Sequence, residues 1–126
     1  MGVADAAKLP YGEADNGTGL TISSTVVNGW RIEQSAEEVG VNRWRVTSKG
    51  TNISGTTLYD CFAKLSLRGS GAIFPGARQT LGDFAPGDSL VVTWTVESSE
   101  DTQGYDVLWC GWPEPDPRKR PAGECN

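Results

Sequence analysis

The chain of 126 residues contains no histidine, and that absence removes much chemistry. Without imidazole, a Ser or Cys nucleophile loses its usual general base, and zinc loses its commonest ligand. The three cysteines, Cys61, Cys110 and Cys125, show no C-x-x-C spacing, which argues further against zinc. No apolar run approaches the roughly 18 residues that a membrane-crossing helix needs. Positive charge is also scarce: 11 Lys and Arg against 16 Asp and Glu leave a net charge of −5, so the chain offers no basic footprint for nucleic acid. Its one basic cluster, Arg118-Lys119-Arg120, has Glu114, Asp116 and Glu124 beside it. The opening "MGVADAAKLPYGEADNG" lacks the positive n-region and apolar h-region of a secretory signal. The expectation is a chain not exported by that route, or a trimmed mature form with an added Met.

Carboxylate chemistry is little better served. Glu37-Glu38 and Glu100-Asp101 are adjacent pairs, and neighbours on a strand or turn point apart rather than into one site. Asp15-Asn16 and Glu97 with Glu100-Asp101 supply oxygens suited to calcium, but no D-x-D-x-D-G loop surrounds them. The expectation is therefore no enzyme, no cofactor and no metal.

What is present points to β-structure. Sixteen Gly and seven Pro among many Thr, Ser and Val suit short strands joined by turns. In "TLGDFAPGDSLVVTWTV" (80–96), Pro86 and Gly87 make Ala85–Asp88 a tight turn. After it, Leu90, Val92, Trp94 and Val96 share one face of a strand, and Val91, Thr93 and Thr95 share the other. Alternation begins at "LTISSTVV". A hairpin is expected over 30–48, with "GWRIEQ" and "NRWRVTSKGTN" as its arms and a polar turn around Ala36-Glu37-Glu38. Residues 55–71 form the longest alternating stretch, with Tyr59, Cys61, Ala63, Leu65 and Leu67 on one face. "GAIFP" and "RQTLGDF" follow, and "GYDVLWCGW" (104–112) is apolar on both faces, so it should sit centrally or be covered from both sides. This gives about seven short antiparallel strands and no helical period: an all-β, immunoglobulin-like β-sandwich over 19–112. An extended arm (1–18) precedes it and a Pro-rich tail (113–126) without core-forming residues follows.

Residues 46–96 resemble the bacterial immunoglobulin-like modules of the CARDB and FxLYD type. In those modules a strand runs into N-x-(S/T)-G and an L-x-(D/N) step, and L-(G/A)-x-(L/F)-A-P-G-(D/E)-S introduces a later strand. Asn52, Ser54, Gly55, Leu58, Asp60, Leu81, Gly82, Phe84, Pro86, Gly87 and Ser89 fill those places. The resemblance implies a sandwich whose relatives serve as spacers, adhesion units and virion parts; fold alone does not carry function.

Five tryptophans bear on what the sandwich binds. Trp44 and Trp94 fall on inward faces. Trp30, after Asn28-Gly29, and Trp112, before Pro113, sit at strand ends, where a ring can be exposed, while Trp109 lies opposite the face of Cys110. Exposed rings would stack on sugars or anchor a protein partner. Cys61 and Cys110 have the spacing of an inter-sheet bridge and equally the character of two buried thiols, with Cys125 free or intermolecular. Asn16-Gly17-Thr18 and Asn52-Ile53-Ser54 match the glycosylation sequon.

The reading that follows is a non-enzymatic structural protein, a phage virion decoration protein bound to an assembled capsid through its two ends. Trp30, Trp112, Tyr11, Arg118, Lys119 and Arg120 are its candidate partner-binding residues. Its partners would be capsid or other virion proteins, with self-association among the options, and neither nucleic acid nor membrane. It would be made in the host cytoplasm and carried on the virion. The alternative is a secreted carbohydrate-binding or adhesion module of a bacterial surface protein.

Overall fold

Eight strands make up the computed structural model: β1 (Thr21–Val27), β2 (Trp30–Gly40), β3 (Arg43–Asn52), β4 (Leu58–Arg68), β5 (Gly71–Phe74), β6 (Arg78–Phe84), β7 (Ser89–Ser98) and β8 (Gly104–Trp112). The structure describes residues 21–27 and 29–121; the arm expected over 1–18 lies outside them. All pairings are antiparallel, in a five-stranded sheet β1-β2-β3-β7-β5 and a three-stranded sheet β6-β4-β8. β3 beside β7 in one sheet and β4 beside β8 in the other reproduce the B–E and C–F neighbours of an immunoglobulin-like sandwich. The all-β sandwich expected from the alternation is the observed fold.

The interior is aromatic. Trp30, Trp44 and Trp94 from the five-stranded sheet meet Phe84, Tyr105 and Trp109 from the three-stranded one, all buried. Trp30 lies edge-on to Phe84 at 5.1 Å between centroids and 5.4 Å from Trp109, within the range where aromatic pairs attract beyond their area burial. Trp109 crosses the sandwich: its Nε1–H donates to Ser48 Oγ at 2.9 Å, and its ring lies against Gly50, where any Cβ would overlap it. Gly50 is thus required by a neighbour's ring and not by a turn. Trp94 Nε1–H donates to the Gly76 carbonyl. Among the described residues, Trp44 Nε1 is the buried side-chain nitrogen or oxygen without a hydrogen-bond partner.

The turn at Ala85–Asp88 forms as its residues demand, with Gly87 at φ 87° and Asp88 N–H donating to the Ala85 carbonyl at 3.0 Å. Its position is set by Asn52. The Asn52 backbone N–H donates to the Asp88 carbonyl, and the Asn52 carbonyl accepts from Gly87 N–H. The fully buried Asn52 amide donates to the carbonyls of Thr56 and Phe84, and its Oδ1 accepts from Ser54 N–H and Ser54 Oγ–H. One side chain ties the end of β3, the following loop and the corner together. Because it is buried with both amide hydrogens donated, the second sequon cannot be glycosylated in the folded chain; the first lies outside the described residues.

Two expectations need correction, and a third holds in one of its two forms. The first hairpin does not turn at Ala36-Glu37-Glu38: β2 continues to Gly40, Ala36 is fully buried against the core, and Val41-Asn42 make the turn with Asn42 at φ 55°. Alternation in β4 does not run unbroken. The register shifts around Asp60 (φ 52°), so Leu58 and Cys61, three positions apart, both lie in the core, while Tyr59 does not. For β8 the second of the two expected placements holds: by hydrogen bonding it is an edge strand, with Tyr105 and Trp109 buried on one face and Cys110 on the other.

Candidate functional site

Beyond the bulge, Ala63 pairs with Trp109, which points into the core, so the paired Phe62 and Cys110 one position along face outward. Phe62 is nonetheless 0% exposed, although it is not part of the core cluster between the sheets. Its cover is local. The Arg78 guanidinium lies 3.7 Å above its ring and the Trp112 ring stands 6.1 Å away. Arg120 then stacks over Trp112 at 4.8 Å, donates to the Glu114 and Pro115 carbonyls, and pairs with Asp60 at 2.8 Å. The segment after β8 therefore folds back onto the outer face of its own three-stranded sheet. A turn of 3-10 helix, Pro117–Lys119, is capped by Asp116, which accepts from the Arg118 N–H and guanidinium. Those bonds hold the Asp116 carboxyl below its ordinary pKa.

Of the six candidate binding residues, the structure leaves few free for a partner. Trp30 is 1% exposed: at the start of β2 it faces the core and packs on Phe84 and Trp109, so the exposure that its strand-end position allows is not realised. Trp112 is half-buried under Arg120. The Arg120 side chain is 9% exposed and structural. Arg118 is exposed and paired with its own Asp116, and Lys119 is exposed on the same turn. Tyr11 lies outside the described residues. Trp44, Trp94 and Trp109 are buried as well, so the described surface carries no row of tryptophan faces for sugar rings.

The cysteines differ from both expectations. Cys61 is a free thiol, fully buried on the inner face, its Sγ–H donating to the Leu58 carbonyl at 3.4 Å. Burial pushes its pKa up to about 11, which makes it a poor nucleophile. Cys110 is disulfide-bonded. An inter-sheet Cys61–Cys110 bridge is thus excluded, as is a pair of thiols; Cys125 lies outside the described residues.

Of the carboxylates considered for calcium, Glu97 and Asp101 have partners within the fold, and Asp15 lies outside the described residues. Asp101 accepts from the hydroxyls of Ser70 and Ser99, bonds that depress its pKa, and Glu97 pairs with Arg43 at 3.1 Å. Among the described residues no three His, Cys, Asp or Glu side chains come together as a metal site.

One open feature went unread in the sequence. β5 pairs with β7 only from Gly71↔Ser98 to Phe74↔Thr95, so the first half of β7 has β3 on one side and no strand on the other. Beside it lies a shallow groove of about 190 Å³ between β6 and β7, lined by Leu81, Asp83, Phe84, Asp88, Ser89 and Leu90. Alternation marked Leu90 as inward, and it is, but the corner leaves it 43% exposed. Comparison with family models, curated proteins and solved structures finds no match to the chain.

Proposed function

We propose that the chain is a non-enzymatic structural module, a decoration protein that binds an assembled virion surface. The observation that carries this reading is the inward use of its chemistry. Four of the five tryptophans are buried and Trp112 lies under Arg120, the Cys61 thiol is sealed, and Asp101, Asp116 and Glu97 are engaged in their own loops and ion pairs. What remains among the described residues is a sandwich with an open sheet edge. The disulfide at Cys110 suits an oxidising exterior, such as a virion or cell surface. Binding only the assembled shell would stabilise it by mass action. The tail, whose residues 113–121 lie on their own sheet, is no longer an arm in this reading.

The disulfide equally favours a second reading, an adhesion module of a bacterial surface. Among the described residues its sugar-binding form finds no row of exposed tryptophan rings. Density-gradient fractionation of the source culture, with mass spectrometry of each fraction, separates the two. Co-sedimentation with particles at a fixed ratio to one abundant protein supports the decoration role. A small extracellular or wall-bound species refutes it.

A further inference from the structure

We propose that the open edge of β7 receives the N-terminal segment, residues 1–20, of a second copy of this chain as an added strand. The inference rests on the structural role proposed for the chain and names the partner of that segment.

The edge is polar in its backbone and apolar in its side chains. Asp88 carbonyl bonds Asn52 across to β3, while the Thr93 carbonyl on the opposite side accepts from Gln79 Nε2 of β6. Backbone groups alternate sides along a strand, so the N–H and C=O of Ser89 and Val91 and the N–H of Thr93 face the side where β5 has stopped. Sheet edges are ordinarily guarded by charge, proline or a bulge. Neighbouring β6 carries Arg78, Asp83 and Gly82 at φ 84°, whereas Ser89-Leu90-Val91-Val92-Thr93 has no charge and no proline. Leu90 and Val91 are 43% and 55% exposed on its two faces. This is the surface that strand addition uses: main-chain bonds supply affinity and alternate side-chain sites supply selectivity.

The occupant follows from what lies outside the described residues. Twenty residues precede β1 and would span roughly 60 Å when extended, ample to reach a neighbouring molecule. Leu9 and Tyr11, two apart, suit the apolar wall of Leu81, Phe84 and Leu90, and Lys8, the single Lys or Arg of a segment that also carries Asp5, Glu13 and Asp15, adjoins them for the Asp83 and Asp88 carboxylates at the rim. β1 is the far strand of the sheet, and its own segment would have to cross the hydrated outer face bearing the Arg43–Glu97 and Arg45–Glu37 pairs. A head-to-tail contact of this kind closes into a ring or extends into a chain of copies.

Sedimentation velocity of the full chain over a range of concentrations is the test, with a synthetic peptide of residues 1–20 as competitor. The expected result is concentration-dependent self-association that the peptide reverses. Val91→Pro removes one N–H on the open side and no bond to β3, and Val91→Lys adds a guard charge while keeping every backbone group. Each should weaken association about tenfold or more, with the folded circular dichroism spectrum retained in Val91→Lys. A chain that stays monomeric throughout, or whose association ignores both Val91→Lys and the peptide, overturns the inference. The virion reading fails separately: copies that associate yet never travel with particles refute that reading and leave this edge contact standing.

Discussion

The two outer faces of the sandwich solve the same problem in opposite ways. On the five-stranded sheet, Thr47, Lys49 and Thr51 of β3 pair with Thr93, Val91 and Ser89 of β7, and the Arg43–Glu97 pair spans the same strands. That face is mostly polar, with Val26 and Val91 as isolated exposed apolar side chains. On the three-stranded sheet the outward face carries Lys64, Ser66 and Asp106 at one end, but at the other Phe62, Leu108 and Cys110, with Trp112 beyond, and a sheet cannot leave such a row in water without cost. Arg78 and the segment through Arg120 supply the cover. A run of prolines and charges is therefore a structural layer, because its cations have rings to lie on and carboxylates to meet.

The sharpest way to break this contrast is to compare Phe62→Ala with Thr47→Ala. If Phe62 is a covered core residue, its truncation costs about 3–5 kcal/mol, read as a fall in thermal or denaturant midpoint, against about 0.5 kcal/mol or less for Thr47. Equal small costs would mean that the cover contributes nothing.

The two strand faces also hold different cysteines, and pH separates them. Cys61 has its pKa raised in the folded state, so stability is fully present below the unfolded value of 9.0 and is lost as pH climbs towards about 11. Denaturant titrations in that window should show a steeper decline in the wild type than in Cys61→Ala. Parallel curves would show that the thiol is not sealed. Iodoacetamide at neutral pH should label Cys61 only after unfolding.

Arg120→Ala strips the stack on Trp112, the Asp60 pair and two carbonyl bonds together, and should cost roughly 1–2 kcal/mol while increasing Trp112 accessibility to acrylamide quenching. Unchanged quenching would mean that the segment stays in place without its arginine. Smallest is Arg43→Ala on the hydrated face. Its partner Glu97 is as exposed as it is, so about 0.2–1 kcal/mol is expected, shrinking further in high salt.

How much of this was legible follows from the range of each interaction. Local rules worked: Pro86-Gly87 marked the corner, and alternation placed Val92, Trp94 and Val96 inward. They misled where charge imitated a turn. Glu37-Glu38 read as the hairpin bend, but both sit on an exposed strand, and the bend went to Val41-Asn42 because Asn tolerates the left-handed region. Trp30 read as a ring that can be exposed because it follows Asn28-Gly29; its ring is placed by Phe84 and Trp109, which no local pattern could reveal. A signal for the covered outer face did exist in the double-sided apolarity of β8. Its cover was missed because Arg120 meets Asp60 across 60 positions of chain. The open half-edge of β7 depends on where β5 stops, and that is a property of two strands and not of either one.

Asn52 makes the molecule a recorder of its own folding order. Its amide hydrogens are spoken for once the corner at Ala85–Asp88 closes, yet in the nascent chain the same side chain stands in an acceptor sequon. Made in a secretory system that glycosylates, each molecule would keep a trace of which event came first. A sugar at Asn52 marks a chain caught before the corner shut, and a bare Asn52 marks one that closed in time. The ratio of the two masses would then time this one event against translocation, with no probe beyond the sequence itself.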